Sequence, residues 1–527
     1  MAPYDAAVTA DLFAAAKNTL DCLIGQLTAP VTASWTHDRL EDLLTEQGRE
    51  LQRQLLQAHP DLRALREQQA VLEVRRDRAR RDRAGAGRSG VVGADGVVRR
   101  WVETGHQRAL ATAVGPVTVT RCAWRAPQVR NLYPADAALG LPAGRHSHGL
   151  ARLAVTEAVR GSFDTAKAAI QTRCGKVLGK RQLEHLVQHA AVDVDAFYAA
   201  QMPVPRTAEE LLVLSFDGKG IVMRPDALRP ATRKAAARHR RVFRTRLASG
   251  EKPGRKRMAT LGVVHDAIPG PRRPHDVISI GERSGDRTVR AGPAATGKWI
   301  YGSVAEPAHT VIGRVFDHAH ARDPMHARTW VVLVDGDRHQ LELIRAEAAR
   351  RHARIHIVCD LIHVLEYLWR AARCVHSPDD DAAEGWVAAH ALALLRGSLA
   401  QAVIMLRDQA DRLPRHRRDA IEAAIGYLTG HAEYLRYHQA LAAGWPIATG
   451  VIEGTVRHIV GDRLEITGAR WGLSGAEAIL KLRALISNGD LDDYWQFHLD
   501  REHHRVHDHH RHKNNLTALP QPPAPRN

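Results

Sequence analysis

Leu211-Leu-Val-Leu-Ser-Phe-Asp217-Gly-Lys-Gly220 is the stretch from which the rest of the chain is read. A short apolar run bounded by glycine predicts a buried strand, with the Asp at its end pushed out at the sheet's edge. Trp330-Val-Val-Leu-Val-Asp335-Gly-Asp337 repeats the pattern. Two carboxylates at strand ends of one sheet are hard oxygen donors on a rigid element, as a divalent-metal site for phosphoryl transfer requires. Asp-Gly is also a common turn pair, so each Asp alone reads as a turn residue too. A third carboxylate lies downstream in Gly450-Val-Ile-Glu453-Gly-Thr-Val-Arg457-His, at a helix start. Arg457 is one helical turn from Glu453, placed to pair with it or to clamp a phosphate.

Working outward, further strands are predicted over Met258–His265 and Asp276–Ile280, then Thr329–Val334 and Ile355–Cys359. Helices are predicted over Leu341–Arg351 and Leu361–Arg373. Three strands, helix, strand, helix, strand, helix is the order of a ribonuclease-H-like mixed sheet with flanking helices, an α+β or α/β fold. There the first and fourth strands lie side by side, so Asp217 and Asp335 meet and a carboxylate on the last helix completes the site. Residues 380–443 are helical throughout and form an all-helical insertion before the Glu453 helix. Asp360-Leu-Ile-His363 opens a helix with Asp and His on one side; Asp360 reads equally as an N-cap.

The N-terminal part reads as mainly helical and DNA-binding. Leu40, Leu43, Leu44, Leu51, Leu55 and Leu56 recur at helical spacing up to Pro60, which stops or kinks the run. The stripe fits a dimer seam or a helical hairpin. Gly85 to Gly96 reads as a flexible joint, and Val114 to Trp124 as one strand of a small hairpin. Residues 150–173 read as helix, followed by a glycine-flanked turn and Lys180-Arg181-Gln182-Leu-Glu-His185. This is a helix-turn-helix candidate, or a plain helical hairpin. The expected regions are 1–95 helical, 96–205 hairpin plus helix-turn-helix, and 206–375 the first part of the catalytic core. The insertion takes 376–446, the rest of the core 447–497, and a disordered His/Pro-rich tail 498–527.

The 527 residues carry 75 Lys+Arg against 58 Asp+Glu, a formal charge of +17. Such an excess points to a polyanion partner. Residues 224–257 hold 13 basic side chains against Asp226 and Glu251. Arg233, Lys234, Arg238, Arg240, Arg241 and Arg244 are therefore expected to hold DNA phosphates beside Asp217. Lys180, Arg181, Gln182 and Arg457 are the other expected DNA contacts. Cys22, Cys122, Cys174, Cys359 and Cys374 form no C-x-x-C pair, which fits a reducing cytoplasm. No apolar run is long enough to span a membrane.

Taken together, the chain resembles the DDE transposases of bacterial insertion sequences, most closely the ISKra-type group, with kinship to Mutator-like enzymes. The likeness rests on Ser215-Phe-Asp217-Gly-Lys-Gly, Arg224-Pro, Leu228-Arg-Pro-Ala-Thr-Arg-Lys234, Lys256-Arg-Met258 and Val334-Asp335-Gly-Asp. It continues in Asp360-Leu-Ile-His363, Gly450-Val-Ile-Glu453-Gly and Arg470-Trp471, and upstream in Tyr133-Pro, Ser147-His-Gly-Leu and Gly161-Ser-Phe-Asp164. It covers residues 100–495. The resemblance implies that Asp217, Asp335 and Glu453 are catalytic ligands of two Mg²⁺ or Mn²⁺ ions, supported by Asp360 and His363. It implies cleavage and transfer of double-stranded DNA at terminal inverted repeats, by a homodimer or higher assembly associated with the nucleoid. A ribonuclease-H-like nuclease or resolvase, or a domesticated DNA-binding protein, shares parts of the pattern.

Overall fold

Pro60 does not stop the first long helix. In the computed structural model, which describes residues 11–82, 90–93, 95–202, 207, 209–238, 255–278, 288–377, 379–466 and 468–508, helix α1 (Ala14–Leu27) is followed by α2 (His37–Asp82). Helix α2 is 46 residues long with Pro60 inside it. A proline removes one backbone donor and crowds the preceding turn. Here packing outweighs that loss, because Ala58, Ala64 and Val71 are buried on a face that lies against a hairpin. The hairpin is β1 (Trp101–Thr112) and β2 (Gly115–Arg125), antiparallel. Gln57 joins it like an extra rung: its carboxamide donates to Thr118 O at 2.8 Å and accepts from Thr118 N at 2.7 Å. Of the joint expected over Gly85–Gly96, the described part pairs Val91–Val92 with Val98–Arg99.

The helix expected over 150–173 is two helices, α3 (His148–Arg160) and α4 (Phe163–Cys174). The break falls at Ser162, whose hydroxyl accepts from Thr165 N at 3.0 Å and caps α4. Helix α5 (Lys180–Ala190) follows. Disorder from residue 498 does not hold as far as Asp508. The helix Leu491–His503 runs on in a wider turn through His504–Asp508. It buries Tyr494, Trp495, His498 and Glu502, a helical stripe. The buried Asp193 accepts from His498 (2.7 Å), Arg501 (2.7 Å) and Arg505 (2.8 Å). That satisfies polar groups which would otherwise have favoured solvent. Pro520–Pro525 lies outside the described residues. All these elements fall in one compact unit, Met1–Phe197 with Asp492–Asn527; Tyr198–Leu491 is the second.

The second unit is built on a five-stranded mixed sheet. Its strands are β3 (Leu211–Val222), β4 (Lys256–Ala267), β5 (Ala295–Ser303), β6 (Trp330–Val334) and β7 (Ile355–Cys359), in the order β5-β4-β3-β6-β7. β3, β4 and β5 pair antiparallel, while β3, β6 and β7 pair parallel. The first and fourth strands are thus neighbours. The strand expected over Asp276–Ile280 does not form as expected; Pro274–Val277 is a short helix, and Ile280 lies outside the described residues. Pro274 suits a first helical position, and Asp276 Oδ2 accepts from Arg273 N at 2.8 Å. The third strand comes later, where Gly297 at φ 56° breaks the alternation before Trp299-Ile-Tyr301.

Helices α6 (Ala308–Arg322), α7 (Arg338–Arg350) and α8 (Leu361–Val375) follow. The insertion is helical as expected: α9 (Ala382–Leu395), α10 (Leu399–Asp411), α11 (Asp419–Gly430) and α12 (Tyr437–Ala442). Helices α13 (Gly450–Val456) and α14 (Leu473–Ser487) close the unit. Glycines show which sheet face each helix covers. A Cβ on Gly262 would meet Val315 of α6 at 2.6 Å, and one on Gly302 would meet Leu480 of α14 and Leu261 at 3.0 Å. Leu261 and Gly262 are successive, so they point to opposite faces. α6 therefore covers one face and α14 the other.

Candidate active site

Phe216 pairs with Gly262, and Asp217 with Leu261. Side chains alternate along a strand, so Phe216 points toward α6 and Asp217 toward the α14 face. The expectation that Asp217 ends its strand is corrected: β3 continues to Val222, still paired with β4. What ends near Asp217 is the parallel ladder on its other side, whose last register pair is Ser215 with Leu333. Asp335 directly follows Val334, the last residue of β6. Each Asp is two residues past that pair, Asp217 still within β3 and Asp335 just beyond the end of β6.

Helix α13 packs against β3 and β4 and carries Glu453. Asp217 registers both other carboxylates. Burial chiefly, and then the negative charges of Asp335 and Glu453, push its carboxyl above the ordinary range, opposed by the Gly218 N–H and by Lys219. Negative charges gathered in this way form a donor set which a divalent cation would relieve. The three carboxylates fit such an ion by chemistry. Among the described residues no group of three or more His, Cys, Asp or Glu side chains is already arranged to hold a metal ion.

Two other Asp residues are occupied. Asp337 caps α7, accepting from Gln340 N at 2.8 Å. Asp360 is buried and accepts four hydrogen bonds: from Ile362 N (3.0 Å), His363 N (3.3 Å), Thr449 N (3.0 Å) and Thr449 Oγ1 (2.7 Å). Thr449 Oγ1 also lies 3.1 Å from Glu453 Oε1. Asp360 thus ties the start of α8 to the residue one turn before Glu453. The His363 ring turns elsewhere, edge-on to Tyr367 (5.3 Å) and Tyr427 (5.5 Å).

Three residues at the site escaped the sequence reading. Thr449 is one; its signal was a hydroxyl one turn ahead of Glu453. Tyr427 and His431, at the end of α11 and just beyond it, are the others. The Tyr427 hydroxyl donates to Asp335 O at 2.7 Å, and His431 Nε2 is 2.8 Å from Gly336 O.

The expected DNA contacts divide. Arg233 and Lys234 are exposed on the helix Pro230–Arg238. Arg238 is the last residue of that helix, while Arg240, Arg241 and Arg244 lie outside the described residues. Arg257, at the end of the same basic stretch, turns inward and donates to Val304 O (2.7 Å), Ala227 O (3.3 Å) and Ala305 O (3.0 Å). Arg457 is exposed where α13 passes into a wider, π-helical turn, Arg457–Gly461. In the first unit, Lys180 pairs with Asp164 at 2.6 Å, and Gln182 Oε1 accepts from Gly179 N at 2.7 Å. Arg181 is exposed, while Leu183 is buried. Among the described residues no helix is long and apolar enough to cross a membrane.

No protein-family model matches this chain, and no curated protein matches it in sequence.

Proposed function

We propose that the chain is a DDE-type transposase of the bacterial insertion-sequence kind, with a ribonuclease-H-like catalytic core acting on double-stranded DNA. The observation that supports this is that Asp217 and Asp335 each stand two residues past the last pair of the β3–β6 ladder, with the charges of both Asp335 and Glu453 felt at Asp217. Asp217, Asp335 and Glu453 would hold Mg²⁺ or Mn²⁺, two ions by the resemblance. When bound, these ions supply Lewis acidity to the attacking and leaving oxygens of a phosphodiester. The chain's own work is to hold the three carboxylates on a strand, a strand end and a helix. Arg233, Lys234 and the basic residues beyond them hold the DNA backbone, and Arg457 lies exposed one turn past Glu453.

The test is Mg²⁺-dependent nicking of a duplex carrying the DNA that flanks the gene, where this reading requires inverted repeats, alongside a gel shift. Asp335→Asn is expected to abolish nicking and leave binding intact. Wild-type nicking by that variant would reject the assignment. Nicking without joining of the cut end to target DNA would move the chain to the nuclease or resolvase reading.

A further inference from the structure

The turn that carries Asp335 is gripped from the helical insertion. Tyr427 Oη donates to the carbonyl of Asp335 at 2.7 Å. His431 presents Nε2 to the carbonyl of Gly336 at 2.8 Å and Nδ1 to Tyr427 O at 2.8 Å. Both partners of the ring are carbonyls, which only accept, and a neutral imidazole has one N–H. Tyr427 O is already served by the His431 backbone N–H at 3.1 Å. The Nε2–H tautomer, donating to Gly336, therefore leaves no acceptor unserved. Both residues are shielded: His431 is buried, and Tyr427 stacks on Tyr367 at 4.4 Å.

Gly336 makes the grip possible. Its φ is 98°, a conformation that favours glycine, and a Cβ there would stand 2.9 Å from Tyr427 Oη and 3.1 Å from His431 Nε2. The strand β6 ends at Val334, so beyond it no sheet ladder holds the backbone of Asp335. Two successive carbonyls that have left the ladder are instead fixed by side chains returning from far downstream.

We infer that Tyr427 and His431 are positioning residues that set the Asp335 carboxylate for metal binding, so that the helical insertion is part of the catalytic centre's scaffold. This rests on the reading of Asp335 as a metal ligand. Neither residue touches the ion; each acts on the peptide that aims the ligand. Loss of such outer partners lowers metal affinity by about tenfold or more.

The test uses the full-length protein and Mn²⁺ alone as probe, with binding followed by calorimetry, together with the Mg²⁺ dependence of nicking. Tyr427→Phe and His431→Leu are each expected to weaken Mn²⁺ binding and raise the half-saturating Mg²⁺ by about tenfold. DNA binding and the circular-dichroism spectrum should stay as in wild type. His431→Gln, which keeps a donor toward Gly336, should recover most of the affinity; it also serves as the folded comparison if His431→Leu is unstable. Metal curves for Tyr427→Phe and His431→Leu that superpose on wild type would overturn the inference. Asp335→Asn separates the two levels. If it binds Mn²⁺ and nicks like wild type, the active-site reading fails; if it is dead while the other variants match wild type, only the positioning role fails.

Discussion

Thr449 gives both its backbone N–H (3.0 Å) and its hydroxyl (2.7 Å) to the carboxylate of Asp360, 89 residues earlier. The same hydroxyl is 3.1 Å from Glu453. One hydroxyl proton serves one acceptor at a time, so Asp360 and Glu453 share it. The acidic residue of the Asp-x-x-His motif thus acts as an anchor for the Glu453 helix, accepting from Ile362, His363 and Thr449.

Asp360→Ala leaves those buried donors without an acceptor and is expected to destabilise the protein by about 3 kcal/mol in urea unfolding. Thr449→Val keeps the shape and removes only the hydroxyl. It should cost about 1–2 kcal/mol and slow nicking about tenfold. A variant with altered stability but unchanged nicking would show that the hydroxyl does not orient Glu453.

Asp193 is expected to make the first unit's stability depend on pH. Burial alone would raise its carboxyl, but hydrogen bonds from Arg505, His498 and Arg501 outweigh this and hold it well below the ordinary value of 3.8. A depressed folded-state pKa stabilises above the unfolded value and is lost as pH falls through the folded one. Asp193→Asn is therefore expected to lower stability by about 3 kcal/mol at pH 7. The gap to wild type should close progressively below about pH 4. Unfolding midpoints measured from pH 7 to pH 2 check this; a gap constant across that range would contradict it.

Arg233→Ala with Lys234→Ala removes two exposed charges from the helix Pro230–Arg238. DNA affinity should fall for all sequences alike. The slope of log K against log salt should flatten by about 0.9 for each phosphate that is no longer neutralised. Arg257→Ala behaves differently: three carbonyls lose their donor, so it lowers thermal stability instead. A salt slope equal to wild type in the double variant would show that this helix does not face DNA.

Gln182 and Arg181 separate although they are adjacent. The Gln182 carboxamide closes the first turn of α5 onto Gly179, so Gln182→Ala should cost about 1 kcal/mol of stability. Arg181→Ala should leave stability unchanged and reduce the preference for terminal-repeat DNA over random DNA, since an exposed Arg can read guanine in a major groove. Equal weakening on both DNAs would assign Arg181 to the phosphate backbone only.

The parts legible in the sequence were those fixed by local pattern. Ile355–Cys359 forms a strand of those bounds because a short β-branched, largely apolar run, interrupted only by His356, leads straight into a capped helix. Asp217 and Asp335 stood out because each follows such a run, and strand order then implied that they meet. The third strand was missed because Gly297 interrupts its alternation while Pro274–Val277 lies in a falsely apolar context. Pro60 looked like a stop because packing on the hairpin has no local signature. Tyr427 and His431 were unreadable for a related reason. They reach the Asp335 turn only through tertiary return of the insertion, and nothing in their neighbourhood marks a hydrogen bond to a residue so distant.

The continuation of β3 beyond Asp217 has a consequence for how the site breathes. Asp217 sits within a strand still laddered to β4, whereas Asp335 sits on a turn held by two side chains. Local opening follows the weakest cooperative element. Amide hydrogens near Asp217 that bond to β4 should thus exchange with deuterium only on unfolding of the sheet, while those of the Asp335 turn exchange whenever α11 lifts. On this expectation Asp217 belongs to a slower-opening element than Asp335, so any reshaping of the site during a reaction cycle would fall on the Asp335 side.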